Sequence, residues 1–173
     1  RRDCPQAHLW IVGQRPHHRL DALKDDPAIT VTGWVDEIRP YIAGASVYVA
    51  PLRMGGGTRL KLLEAMALER AVVATPFGAE GFPAVDGEEL QLADTPELFA
   101  KAVVSLLRDP LRRAELGRKA RRFVQRGYDW QVLLPRLEQD ASAEAALGHE
   151  LLVGFRGHVS GDPQLPSQGA AGR

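Results

Sequence analysis

Only one cysteine, Cys4, occurs in the 173 residues, so no internal disulfide can form and no cysteine-based metal cluster can assemble. A charge excess of either sign is also lacking. The 22 Lys and Arg are matched by 22 Asp and Glu, and this balance gives no support to a general nucleic-acid-binding role. No apolar run nears the roughly 20 residues that a membrane-spanning helix needs, and no secretion signal is visible. What is present is an ordinary globular composition, 45% hydrophobic and 25% charged. The length suits one domain with a sizeable core. The sequence opens on Arg1, almost directly on a strand, and reads as a piece of something longer.

Strand and helix patterns alternate along the first half. His8–Val12 is a short apolar run closed by Gly13 and predicts a buried strand. Pro16 to Asp25 predicts a helix with Leu20 and Leu23 inward. Ile29–Val35 is a second strand, after which Asp36 is expected to cap a short helix ended by Gly44. Ser46–Ala50, Ala71–Thr75 and Leu90–Ala93 complete the strands. The alternation predicts an α/β fold, a Rossmann-like parallel sheet with flanking helices. Ligands of such sheets sit beyond the carboxyl ends of the strands, where the loops at Gly13, Gly33–Asp36, Pro51–Thr58 and Pro76–Gly81 would open.

Further on, Thr95-Pro96 and Asp109-Pro110 each place a cap residue before a first-turn proline, predicting helices to about Leu107 and through Val124. The second carries Leu116, Ala120, Phe123 and Val124 on one face and Arg112, Arg113, Arg118, Lys119, Arg121, Arg122 and Arg126 on the other. A basic face of that kind is either solvated or laid on an anionic membrane surface. Asp129-Trp130 opens a last helix.

The stretch with the most chemistry is Pro51–Ala67. A strand enters it, Gly55, Gly56 and Gly57 follow, Thr58 stands where an N-cap belongs, and a run of strong helix formers begins at Leu60. Arg59 and Lys61 fall in the expected first turn, where the helix macrodipole favours carboxylates. A bound anion removes that conflict: glycines allow close backbone approach, first-turn N–H groups point at the ligand, and the two cations complete a phosphate cradle. Glu64, one turn on among apolar residues, could accept hydrogen bonds from a ribose hydroxyl pair. A glycine-rich turn before an ordinary helix with a surface Glu fits the same letters.

These residues resemble the retaining glycosyltransferases of family 4, whose GT-B architecture has two Rossmann-like halves. The resemblance rests on I-V-G (11–13), V-T-G-W-V (31–35), A-S-V-Y-V-A-P (45–51), G-G-G-T-R-L-K-L-L-E-A-M-A (55–67), V-V-A-T-P (72–76), L-L-R-D-P (106–110) and Y-D-W (128–130), in order from about Ala7 to Leu137. It is most similar to the subgroup with a G-G-G-T-R-L-K loop. It implies that residues 1–147 are a partial donor-binding domain, and that 148–173, rich in Gly, Pro and Ser, form a tail disordered at least from Gly157. The donor would be a UDP- or GDP-sugar. Glu64 would hold the ribose, with Gly55–Thr58, Arg59, Leu60 and Lys61 on the diphosphate and Gly33, Trp34 and Val35 beside the base. Gly13 would line the same edge.

The resemblance implies no cofactor and no metal. There is no Asp-x-Asp here, and His17 and His18 read as exposed helix residues. In the family a Glu stands eight positions before the ribose-binding one; here that position is Gly56, and Arg53, Arg59 or Glu80 are the candidates to take over part of its role toward the sugar. No residue is identifiable as nucleophile or general base. The acceptor-binding half, the opening strand and the opening helix are missing. The expectation is therefore a donor-binding part, inactive alone, of a cytoplasmic enzyme that transfers a hexosyl unit to a hydroxyl. The alternatives are a non-catalytic nucleotide-binding or interaction module and a sugar-nucleotide epimerase of the same architecture. A nicotinamide dehydrogenase lacks support because Gln14-Arg15-Pro16 follows Gly13, and a phosphate-loop NTPase because Thr58 follows Gly57.

Overall fold

The computed structural model describes residues 3–14, 18–55 and 59–146. The chain divides into two compact units, Arg1–Leu134 and Pro135–Arg173. The expected disorder from Gly157 onward lies outside the described residues.

All strand pairing in the first unit is parallel, as expected, but the strands form two sheets among the described residues. β1 (Leu9–Val12) pairs with β2 (Ile29–Gly33), Leu9 opposite Ile29. The second sheet has the order β3 (Val47–Ala50), β4 (Ala71–Ala74), β5 (Gln91–Leu92). In it β4 is central and buried on both faces, which explains its unbroken apolar sequence.

The alternation along β4 sorts the core into two layers. Val72 and Ala74 pack with Leu62, Ala65 and Met66 of α2 (Leu60–Ala67), and Ala120 of α4 (Pro110–Gly127) joins them. Ala71 and Val73 face the other way, onto Leu106 of α3 (Pro96–Arg108) and Leu116 of α4. Each fully buried side chain of this size removes about 1.5–3 kcal/mol worth of apolar surface from water, so β4 with α2, α3 and α4 is where the unit's stability is concentrated.

The helix caps follow the sequence closely. Thr95 caps α3 by accepting the Leu98 N–H at 3.3 Å, and Asp109 caps α4 by accepting the Arg112 N–H at 2.9 Å. Thr95→Ala is expected to cost about 1 kcal/mol in denaturant unfolding, with Thr95→Ser close to wild type; equal loss in both variants would mean that the hydroxyl bond contributes nothing. A further helix, α5, runs Trp130–Ala146.

Several local expectations are corrected. The helix expected over Pro16–Asp25 is a 3₁₀ turn, His18–Leu23, in which Leu20 and Leu23 lie one short turn apart. Asp36 does not cap α1 (Arg39–Gly44): the N-cap position falls on Ile38, whose apolar side chain cannot cap, and Glu37 just before it accepts the Arg39 N–H at 3.1 Å. β1 is not buried. Leu9 and Trp10 are 39% and 54% exposed, because neither belongs to the two core layers that cover β4. Trp10 leans instead on His8 and on Tyr41 of α1, ring centroids 5.3 and 5.8 Å away. Arg70 ties α1 to the second sheet, donating to the carbonyls of Ala43 at 3.1 Å and Ala45 at 3.4 Å.

Candidate functional site at the carboxyl edge of the strands

Parallel strands deliver their following loops to one edge, and the sequence-predicted residues lie in those loops. After β1 and β2, the Gly13 N–H donates to the Gly33 carbonyl at 3.1 Å, locking the two loops together. Beyond Gly33, Trp34 stands 63% exposed and Val35 is half-buried. After β3 come Pro51, Leu52, Arg53 and Met54, all exposed, and then Gly55, whose φ of 128° suits glycine alone. Gly56, Gly57 and Thr58 lie outside the described residues, and with them the expected cap at Thr58.

α2 starts at Leu60, with Arg59 rather than Thr58 at its N-cap position. Arg59 therefore precedes the first turn and Lys61 lies within it, a correction of one residue to the expected placement of both cations. The cause is visible in the side chain. The Arg59 guanidinium donates to the Gly55 and Phe77 carbonyls, each at 3.4 Å, and stacks on the Phe77 ring with 4.7 Å to its centroid. Those ties hold its backbone ahead of the helix, at φ −78° and ψ 48°. Leu60 and Lys61 are exposed, and the first turn of α2 carries no acidic residue. The positive end of the helix, its N–H groups and two cations are thus gathered at one place.

Glu64 is exposed on α2, while its neighbours Leu62, Ala65 and Met66 are buried beneath it. Two groups the sequence did not single out lie within its electrostatic reach. Burial first, and the Glu64 charge second, push the Tyr48 hydroxyl above the ordinary tyrosine range. Arg39 is held more strongly protonated by its hydrogen bond and ion pair with Glu37, and the field of Glu64 adds to that. The Glu37 carboxyl falls in return to about 2, chiefly through its hydrogen bond with Arg39. Glu64 therefore presents its carboxylate to solvent, and the Arg39 guanidinium that feels its field is committed to Glu37.

Arg53 and Glu80 do not join this group. Arg53 turns toward the loop after β5 and donates to the Asp94 carbonyl at 3.3 Å. There it lines an open cleft of about 320 Å³ together with Thr75, Thr95 and Phe99. Glu80 is exposed and ends the 3₁₀ turn Phe77–Ala79. Among the described residues no group of His, Cys, Asp or Glu is arranged to hold a metal ion.

The cations of α4 are largely engaged within the chain. Lys119 pairs with Glu88 at 2.7 Å and Glu115 at 3.4 Å, Arg121 with Glu69 at 3.7 Å, and Arg112 donates to Gln91 at 3.0 Å. Arg113 donates to the carbonyls of Leu106 and Leu107 that end α3. Among the described residues no helix is long and apolar enough to cross a membrane.

Comparison with known proteins places this geometry in a family. The family model described as glycosyl transferases group 1 matches residues 1–109. A phosphatidyl-myo-inositol mannosyltransferase of Mycolicibacterium smegmatis is 33% identical over 135 residues, which cover 75% of this chain and 35% of that protein. A lipopolysaccharide core biosynthesis mannosyltransferase, LpcC, of Rhizobium leguminosarum is 33% identical over 126 residues, covering 72% of this chain and 34% of its own length. The chain thus spans about a third of the length of these curated relatives. Among solved structures, sucrose-phosphate synthase of Thermosynechococcus elongatus superposes with a TM-score of 0.70 at 24% identity, over 83% of this chain and 40% of that one. Anabaena HepE, solved in complex with UDP, gives 0.66 at 17% identity, over 80% of this chain and 42% of its own. The fold is that of the GT-B glycosyltransferases, and the chain belongs to the glycosyl transferases group 1 family.

Proposed function

We propose that this chain is the donor-binding part of a retaining family 4 glycosyltransferase of the G-G-G-T-R-L-K subgroup, which transfers a hexosyl unit from a nucleoside diphosphate sugar to a hydroxyl acceptor. The observation that carries the reading is the start of α2: Arg59 and Lys61 stand at a positive helix end with no acidic residue in the first turn, and Glu64 stands exposed one turn on. In this reading the diphosphate lies across the glycine loop and the start of α2, and Glu64 accepts hydrogen bonds from the ribose. As the bond from the anomeric carbon to the diphosphate oxygen breaks, charge grows on the leaving group. The helix end, Arg59 and Lys61 oppose that charge without having to reorganise.

Gly56, at the place of the family's sugar-contacting Glu, favours a second reading in which the chain binds nucleotide without catalysis. The acceptor would be held by a half that lies outside these residues. The same chain alone is then expected to show no transferase turnover. Cytoplasmic placement follows from the donor class, and the exposed Arg118 and Arg122 of α4 leave peripheral contact with an anionic membrane within the proposal.

The test is thermal unfolding of the 173-residue chain against UDP, GDP, ADP and NAD. A ligand that binds only the folded form at ~100 times its dissociation constant adds about 2.7 kcal/mol. A rise in midpoint with UDP or GDP supports the reading and names the base. A folded sample that shifts with none of the four sinks donor binding for this chain. Turnover by the purified chain with any sugar donor would overturn the expected inactivity.

A further inference from the structure

We propose that Phe77 is a positioning residue for Arg59, fixing the guanidinium at the start of α2 so that it meets the diphosphate of the donor. The inference rests on the donor-site reading above and adds to it a residue that the glycine-loop motif does not contain.

The geometry forms a chain of fixed contacts from the sheet to the cation. Thr75, which directly follows β4 and is 4% exposed, donates its hydroxyl to the Leu52 carbonyl and accepts the Gly78 N–H at 3.0 Å. The Thr75 carbonyl takes the Ala79 N–H at 3.1 Å. Gly78 lies so close to the end of β3 that a Cβ there would stand 2.7 Å from the Ala50 carbonyl oxygen. The 3₁₀ turn Phe77–Ala79 is therefore fastened to the carboxyl ends of β3 and β4 at once, and Phe77 begins that turn. Its ring lies under the Arg59 guanidinium, 4.7 Å from centroid to Cζ, and its carbonyl accepts from the same side chain.

An arginine at a loop-to-helix junction, left to itself, samples many rotamers and loses that freedom when it binds an anion. Packing over a ring covers one face of the guanidinium and narrows the directions its charge can take, and the two carbonyls that accept from its Nη2 narrow them further. The Gly55 carbonyl, at 3.4 Å, orients the group from the loop side. The ordering is thus done before ligand arrives, by a turn that belongs to a different strand. The sequence separation of 18 residues between Arg59 and the Phe77 carbonyl explains why no local motif includes Phe77.

The test titrates wild type, Phe77→Leu and Phe77→Tyr with UDP and GDP and, in parallel, with uridine and guanosine. Phe77→Leu is expected to weaken the preferred diphosphate by about five- to thirtyfold and to leave the nucleoside unchanged. Phe77→Tyr keeps a ring and is expected to restore the diphosphate affinity. Pentafluorophenylalanine at position 77 keeps the shape and inverts the ring quadrupole; it serves where the leucine variant does not fold, and the same selective loss is expected. Wild-type affinity for the diphosphate in a folded variant that lacks the normal ring electrostatics would overturn the proposal while leaving the donor site standing. Equal losses for diphosphate and nucleoside would also overturn it, because Phe77 would then shape the base and ribose region. A wild type that binds neither diphosphate removes the donor site itself, and this proposal with it.

Discussion

Gly117→Ala is expected to destabilise the first unit by about 2 kcal/mol or more, although alanine is the better helix former by ~1 kcal/mol. The two effects have opposite signs, and the structure decides between them. Gly117 lies in the middle of α4, where a Cβ would overlap the Glu69 carbonyl oxygen and stand 3.0 Å from the carbonyl carbon. The obstacle is backbone, and it is pinned. The Glu69 N–H bonds to the Met66 carbonyl and the Arg70 N–H to the Ala65 carbonyl, each at 3.0 Å. Glu69 itself sits at φ 61°, and the Arg70 side chain is tied to Ala43, Ala45 and Leu68.

The turn cannot retreat, so α4 has to move off and carry Leu116 and Ala120 out of the two core layers. Gly127, at the end of the same helix, has open space where its Cβ would stand, and Gly127→Ala is expected to be neutral or to gain about 0.5 kcal/mol. Denaturant unfolding of the two variants side by side checks the argument. A Gly117→Ala variant as stable as wild type would show that α4 can slide on the end of α2 at little cost.

The same kind of long-range contact marks the limit of what the sequence discloses. β4 was legible as a buried strand because Ala71–Ala74 is apolar throughout and is covered on both faces. β1 carries the same signal in Leu9–Val12, yet Trp10 is more than half exposed. An apolar run reports that a strand suits burial on both faces; it does not report whether the covering layer is present. The caps at Thr95 and Asp109 were legible because a hydroxyl or carboxylate bonding three residues ahead is local chemistry. At Asp36 the same local rule placed the cap two residues early: α1 begins after Ile38, and Glu37 takes the Arg39 N–H.

At the candidate site, the grouping of Arg59, Lys61 and Glu64 was legible because they share one helix start. Their surroundings were not. Phe77 reaches Arg59 from the loop after another strand, Arg39 and Tyr48 feel Glu64 from α1 and β3, and Arg53 is drawn off by a carbonyl 41 residues away. Each of these is a consequence of strand order rather than of spacing. The glycine loop shows the converse case: its letters are distinctive, and the chemistry proposed for it depends on where Phe77 and the start of α2 stand around it.

Glu64→Ala is expected to lower affinity for the preferred nucleoside diphosphate by about a hundredfold and to leave folding almost untouched. A hydrogen bond to a charged group contributes ~1.5–3 kcal/mol. Two ribose hydroxyls on one solvent-exposed carboxylate, at the lower end of that range, give about 3 kcal/mol, and each ~1.4 kcal/mol is tenfold. Glu64 is exposed, and the helix below it is held by Leu62, Ala65 and Met66, so stability should stay within about 0.5 kcal/mol. Glu64→Gln keeps the shape and one acceptor oxygen and should fall between the two.

The ribose assignment has its own signature. Wild type should prefer the ribonucleotide over its 2′-deoxy form by about tenfold, and Glu64→Ala should not distinguish them. Tyr48 supplies a readout that needs no ligand. Its hydroxyl is raised first by burial and second by Glu64, so removing the charge should lower its titration midpoint part of the way and leave it above the ordinary value. A variant that shows this change in Tyr48, is folded, and still binds the diphosphate like wild type would move the ribose elsewhere on the carboxyl edge. A loss equal for ribo- and deoxyribonucleotide would instead place the carboxylate against another part of the donor, most directly the base.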